Sequence, residues 1–148
     1  MIGKSFLIQT AAVLLLSAVI VGCSSRQAAA PVPDPSATLQ AIPAADPAQI
    51  EHIRDMKTWR NPYLIVRTDG VALLDAADNA EIRLKPAELL PALAALPTSD
   101  WPYGRVVAAT EINARTSEQD GIAIRRNKGI VGGILQGAHI AIKWVPSA

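Results

Sequence analysis

The chain has 148 residues, half of them hydrophobic and 18% charged, with a formal net charge of +1. That length suits one domain rather than two, and near-neutrality argues against a nucleic-acid binder, which needs a clustered basic surface. The apolar fraction is raised by alanine and by residues 1–22, and it does not indicate a polytopic membrane protein.

Residues 1–5 carry one charge, Lys4, and residues 6–21 are uncharged and mostly apolar. A charged start, an apolar middle and small residues at the end form the layout of a secretory signal. The apolar run is about 16 residues, short of the roughly 20 that a spanning helix needs. It ends in Ile20, Val21, Gly22 and Cys23. This run resembles the lipobox of bacterial lipoproteins, in which a small residue precedes a cysteine that is acylated before cleavage. The resemblance implies a signal peptide at 1–22, lipids on Cys23 and attachment to a membrane. Several acyl chains hold stably where one binds only marginally. Ser24 after the cysteine, rather than aspartate, resembles an outer-membrane sorting signal, so the expected location is the periplasmic face of the outer membrane. Removal of Lys4 leaves 13 Lys+Arg against 13 Asp+Glu, a formally neutral mature chain. Cys23 is the only cysteine, which excludes an intramolecular disulfide.

Residues 23–45 read as the lipidated cysteine and a tether. Ala28, Ala29 and Ala30 lead into Pro31, Pro33 and Pro35 with no apolar period, and Pro43 follows. Such composition buries too little surface to offset its ordering entropy. Extended like polyproline, about 22 residues would reach roughly 70 Å.

The folded domain is expected over 46–148. Asp46 and Pro47 open a helix, an acid at the N-cap and proline at the first helical position, with Gln49 three residues after the cap. Ile50, Ile53 and Met56 carry its period to about Thr58. Trp59, Arg60, Asn61 and Pro62 break it. Tyr63 to Arg67 reads as a strand, Asp69 and Gly70 as a tight turn, and residues 71–74 as the hairpin partner. A polar turn leads to a third short strand at 81–84. Pro86 then starts a helix lined by Leu89, Leu90, Leu93 and Leu96, in which Pro91 is tolerable only close to the first turn. Residues 105–112 are the clearest strand. A helix from about Asp120 to Gly137 presents Ile124, Val131, Ile134 and Leu135, and Ile140, Ile142 and Trp144 alternate along a last strand. The order implies an α+β fold, a small two-layer sandwich with helices on one face of a mixed sheet of four or five strands.

A strand ending in Asp69 and Gly70, an apolar partner, Glu88 with Leu89, Leu90 and Leu93, the strand around Val106 and Val107, and the stretch from Ile130 to Ile142 are together similar to the periplasmic domain of the ExbD/TolR family. The likeness covers roughly 80 residues and implies the fold and a habit of contact with cell wall or envelope proteins. That family acts through an uncleaved transmembrane helix carrying an aspartate. Residues 6–22 hold no acidic residue, so energy transduction is not implied.

Little in the chain points to catalysis. His52 and His139 are the only histidines, and neither has Cys or His partners at metal-ligand spacing; His52 reads as helix surface and His139 as an edge or capping residue. No serine lies in a Gly-x-Ser-x-Gly turn. The acids Asp69, Asp75, Asp78, Glu81, Asp100, Glu111 and Asp120 fall mostly in turns, where aspartate is favoured by local hydrogen bonds. The expectation is no enzyme, no metal and no cofactor. A carboxylate pair assembled from distant positions is the route to the alternative, a small envelope hydrolase or an inhibitor of one.

Two features remain. Gly129, Gly133 and Gly137 form a ridge along the second long helix, with Gly132 beside it. It fits close packing on the sheet or self-association through that ridge. The charges Arg125, Arg126 and Lys128 read as a solvated helix face. Trp59, Tyr63, Trp101 and Tyr103 flank Pro62 and Pro102, either as a binding platform or as plugs for the ends of a small core. The leading expectation is therefore a non-catalytic envelope lipoprotein whose domain binds an envelope protein or peptidoglycan.

Overall fold

The computed structural model describes residues 33–53, 56–75, 78–112 and 117–146. The signal peptide at 1–22 and the lipidation site Cys23 lie outside the described residues. Among the described residues no helix is long and apolar enough to cross a membrane.

The chain enters the fold at Asp34, whose carboxylate accepts from Ser36 N–H at 3.0 Å and caps helix α1, Pro35–Gln40. Leu39 is fully buried and Ile42 nearly so, and α1 packs against a later helix, Leu89–Ala94. Pro43 O accepts from Arg105 N–H at 2.8 Å, and Ala44 bridges Arg105 in parallel. The tether expected to run to residue 45 is thus corrected: from Asp34 onward the chain belongs to the folded domain, with Leu39 and Ile42 in its core. Two apolar side chains and backbone pairing to a strand start outweigh a composition that reads as linker.

Helix α2, Pro47–Glu51, opens on the Asp46 cap as the sequence implies, but it spans one turn rather than running to Thr58. A 3-10 turn, Met56–Thr58, follows. The strands β1, Tyr63–Arg67, and β2, Gly70–Leu74, form the expected hairpin, with Arg67 opposite Gly70, and β3, Glu81–Leu84, adds to β2. Gly70 has φ +148°, and a Cβ there would lie 2.6 Å from Leu84 O. Pro86–Glu88 is a 3-10 turn leading into α3, Leu89–Ala94. Pro91 sits at the third residue of α3, where its missing N–H costs no helical bond.

β4, Val106–Glu111, pairs in parallel with β1, and after α4, Glu118–Gly137, the chain returns as β5, Ala141–Trp144, parallel to β4. The sheet order is β3-β2-β1-β4-β5, a mixed sheet of five strands. Leu64 faces Leu73 on one side and Ala109 on the other, and Val107 faces Ile142. These residues meet Leu39, Leu89, Leu93, Val131 and Leu135 in one core. The α+β sandwich inferred from pattern is the observed fold.

Helix α4 ends in a Schellman motif. His139 takes φ +56°, its N–H donates to Gln136 O at 3.0 Å, and Ile140 N–H donates to Leu135 O at 2.9 Å. His139 is therefore a helix-terminating residue, and its turn aims Ile140 into the core, where it is 3% exposed.

Candidate functional site

The stretch from Trp59 to Tyr63 decides the geometry at one end of the sheet. Asn61 is 5% exposed, and its Nδ2 donates to Gly104 O at 2.7 Å and Val106 O at 2.8 Å. Its Oδ1 accepts from Tyr103 N–H at 2.9 Å. One buried amide thereby satisfies three backbone groups more than forty residues away and fixes the starts of β1 and β4 together, reinforced by Ala108 N–H donating to Pro62 O. Gly104 has φ +74°, and a Cβ would stand 2.7 Å from Ala44 O and 2.8 Å from Pro43 O. The incoming N-terminal segment thus passes directly over this glycine. Sequence reasoning missed the role of Asn61, because Asn before Pro reads as an ordinary turn.

The four aromatic residues of the proposed surface separate into different roles. Trp101 is 3% exposed and belongs to the core. Trp59 and Tyr103 contact each other, ring centroids 5.4 Å apart and tilted by 43°. Trp59 Nε1–H donates to Pro62 O at 3.3 Å, and Tyr103 O–H donates to Thr58 O at 3.2 Å. Lys143 Nζ lies 5.9 Å from the Trp59 ring and donates to Ile50 O at 2.8 Å and Ile53 O at 2.6 Å. A lysine on β5 thus takes up carbonyls at the end of α2, the arrangement favoured at a helix C-terminus. It holds the segment that carries Trp59 against the sheet face opposite Ile142. Tyr63 is half-buried at the start of β1.

These elements frame a groove of about 900 Å³ where β1 begins and β2 ends. Its apolar lining includes Met56, Trp59, Tyr63, Leu74, Ile82 and Leu96. Ile82 is 46% exposed, an unusual placement for a large aliphatic side chain on an edge strand. Lys57, Arg60, Asp75, Asn79 and Asp100 also line the groove. Tyr103 and Trp101 do not line it. Of the four aromatic candidates, the groove unites Trp59 and Tyr63 only.

Elsewhere, Lys128 Nζ pairs with Glu111 Oε1 at 2.8 Å and lies 4.4 Å over the ring of Trp144, which is 39% exposed. These three residues line a smaller hollow of about 370 Å³. Arg67 pairs with Glu81 at 2.6 Å, and Asp69 with Arg83 at 3.2 Å, across β1 to β3. Such surface pairs add little stability. His52 is exposed on the turn after α2. Among the described residues no group of three His, Cys, Asp or Glu stands close enough to hold a metal ion.

Among the described residues the glycine ridge is not a packing seam. A Cβ added to Gly129, Gly132, Gly133 or Gly137 would meet nothing within 4 Å. The core face of α4 is instead Gly121, Ile124, Val131 and Leu135. Close packing of the ridge on the sheet is thereby corrected: the ridge is rotated outward, away from the apolar row that decides how α4 seats.

Comparison of the chain with family models, curated proteins and solved structures yields no match. The reading of the site accordingly rests on its own geometry.

Proposed function

We propose that this chain is a lipid-anchored protein of the bacterial cell envelope, held on Cys23 at the periplasmic face of the outer membrane, whose α+β domain works by binding a partner rather than by catalysis. The observation that supports the binding role is the groove: aliphatic side chains left open at a sheet end, with cations and carboxylates around them. A concave site that combines apolar side chains with a few polar groups is the usual form of a binding site. A segment of another envelope protein suits it better than a glycan strand. Sugar rings favour an open aromatic face, and the Trp59 ring is flanked by Tyr103 on one contact and Lys143 on another.

The partner class is tested by mixing the mature lipidated chain, in detergent, with protein-free cell-wall sacculi and measuring co-sedimentation. The expected result is that the chain stays in the supernatant. Sedimentation that Ile82→Arg abolishes would assign the groove to peptidoglycan instead.

A further inference from the structure

Helix α4 has a second face that the core does not use. Ile122 is 52% exposed and Ile130 37%, with Arg125, Arg126, Gly129 and Gly133 exposed beside them. At about 100° per residue, Ile122, Arg126, Gly129 and Gly133 share one stripe opposite Ile124, Val131 and Leu135. Between residues 121 and 137 the helix has no Asp or Glu. Lys128 is engaged by Glu111 and Trp144, and exposed Glu118 lies one turn before Ile122 on the same side, so the stripe carries two arginines, Arg125 and Arg126, against one acid. A solvated helix face is ordinarily polar or charged throughout, whereas this one exposes two isoleucines. Isoleucine with arginine is the composition of a helix lying at a lipid surface, apolar side chains entering the acyl boundary and cations level with phosphate.

An independent observation is where the fold begins. Asp34 caps α1 and Leu39 is in the core, so only residues 24–33 separate the fold from Cys23. Fully extended, that link spans at most about 40 Å. An anchor on Cys23 would therefore keep the start of the fold within about 40 Å of the surface that holds it.

We infer that the outward face of α4, centred on Ile122, Arg126 and Ile130, rests on the anionic lipid surface to which Cys23 ties the chain. This rests on the lipid-anchor reading of Cys23. The net positive charge of the face favours an anionic surface as its occupant, and a second copy is the alternative that the test separates. No residue of α4 lines the groove, so lipid contact and partner binding use different side chains.

The test uses the mature chain with an environment-sensitive fluorophore on Gly133→Cys, a position with open space around it. The chain is reconstituted in phosphatidylglycerol–phosphatidylethanolamine vesicles and, in parallel, in phosphatidylcholine vesicles. Intact mass first reports whether Cys23 carries acyl groups; an unmodified mass would overturn the anchor reading and with it this placement. For an acylated chain the expected result is blue-shifted emission in anionic vesicles, lost in Ile122→Asp/Ile130→Asp and in Arg125→Glu/Arg126→Glu, with circular dichroism showing that the fold is kept. Unshifted emission from the acylated chain would overturn the inference while leaving the anchor standing. An equal shift in phosphatidylcholine would overturn the role given to the arginines. Disulfide-linked dimers of unlabelled Gly133→Cys with unshifted emission would overturn it in favour of a second copy.

Discussion

Glycine serves opposite ends in two regions of this molecule. At the start of β4, Gly104 is enclosed: its φ is positive, and backbone oxygens of Pro43 and Ala44 occupy the space a side chain would need. Along α4, Gly129 and Gly133 face open space, although each glycine weakens a helix by about 1 kcal/mol relative to alanine. The first glycine is explained by the fold around it. The others cost helix stability and gain no contact among the described residues. An enclosed glycine is required by the architecture around it, whereas an open one can be replaced without a clash.

Substitutions can break or sharpen that contrast, beginning with the enclosed region. Asn61→Ala removes a buried amide with three backbone partners. Because buried groups left unpaired carry a desolvation penalty, the expected loss is roughly 4 kcal/mol in urea unfolding. A loss under about 1 kcal/mol would show that water replaces the amide and that this end of the sheet is not enclosed. Leu39→Ala should cost roughly 3 kcal/mol, as for a fully buried leucine. An unchanged midpoint would return residues 34–44 to the tether. Gly104→Ala should cost roughly 2 kcal/mol through its strained φ and the contacts with Ala44 and Pro43. The smallest effect has the opposite sign: Gly129→Ala and Gly133→Ala should each stabilise by about 1 kcal/mol. Destabilisation by either would mean that the ridge is packed within the chain after all.

The parts of the fold that were legible in the sequence are those set by local chemistry. The hairpin around Asp69 and Gly70, β4, α4 and β5 follow from period and turn residues that lie next to each other in the chain. The entry segment was not legible, because Leu39 and Ile42 are isolated apolar residues in a proline-rich stretch, and their order comes from α3 and Arg105. The length of α2 was also misjudged, since the spacing of Ile50, Ile53 and Met56 continues the helical period past the turn where the chain leaves it. Lys143, which takes the carbonyls of Ile50 and Ile53, lies some ninety residues away. The candidate site was half legible: Trp59 and Tyr63 stood out as aromatics beside Pro62, whereas Leu74, Ile82 and Leu96 reach the groove from separate elements. Trp101 carried the same signal as Trp59 and is core instead, because a ring next to proline is compatible with either end of the burial scale.

The central claim is that the groove, and not the α4 face, meets a protein partner. Photo-cross-linking in intact envelopes tests it most directly, with a photoreactive residue at position 82 in one chain and at position 122 in another. Discrete protein adducts from position 82, with lipid adducts alone from position 122, are predicted. Protein adducts from position 122 and none from position 82 would contradict the account.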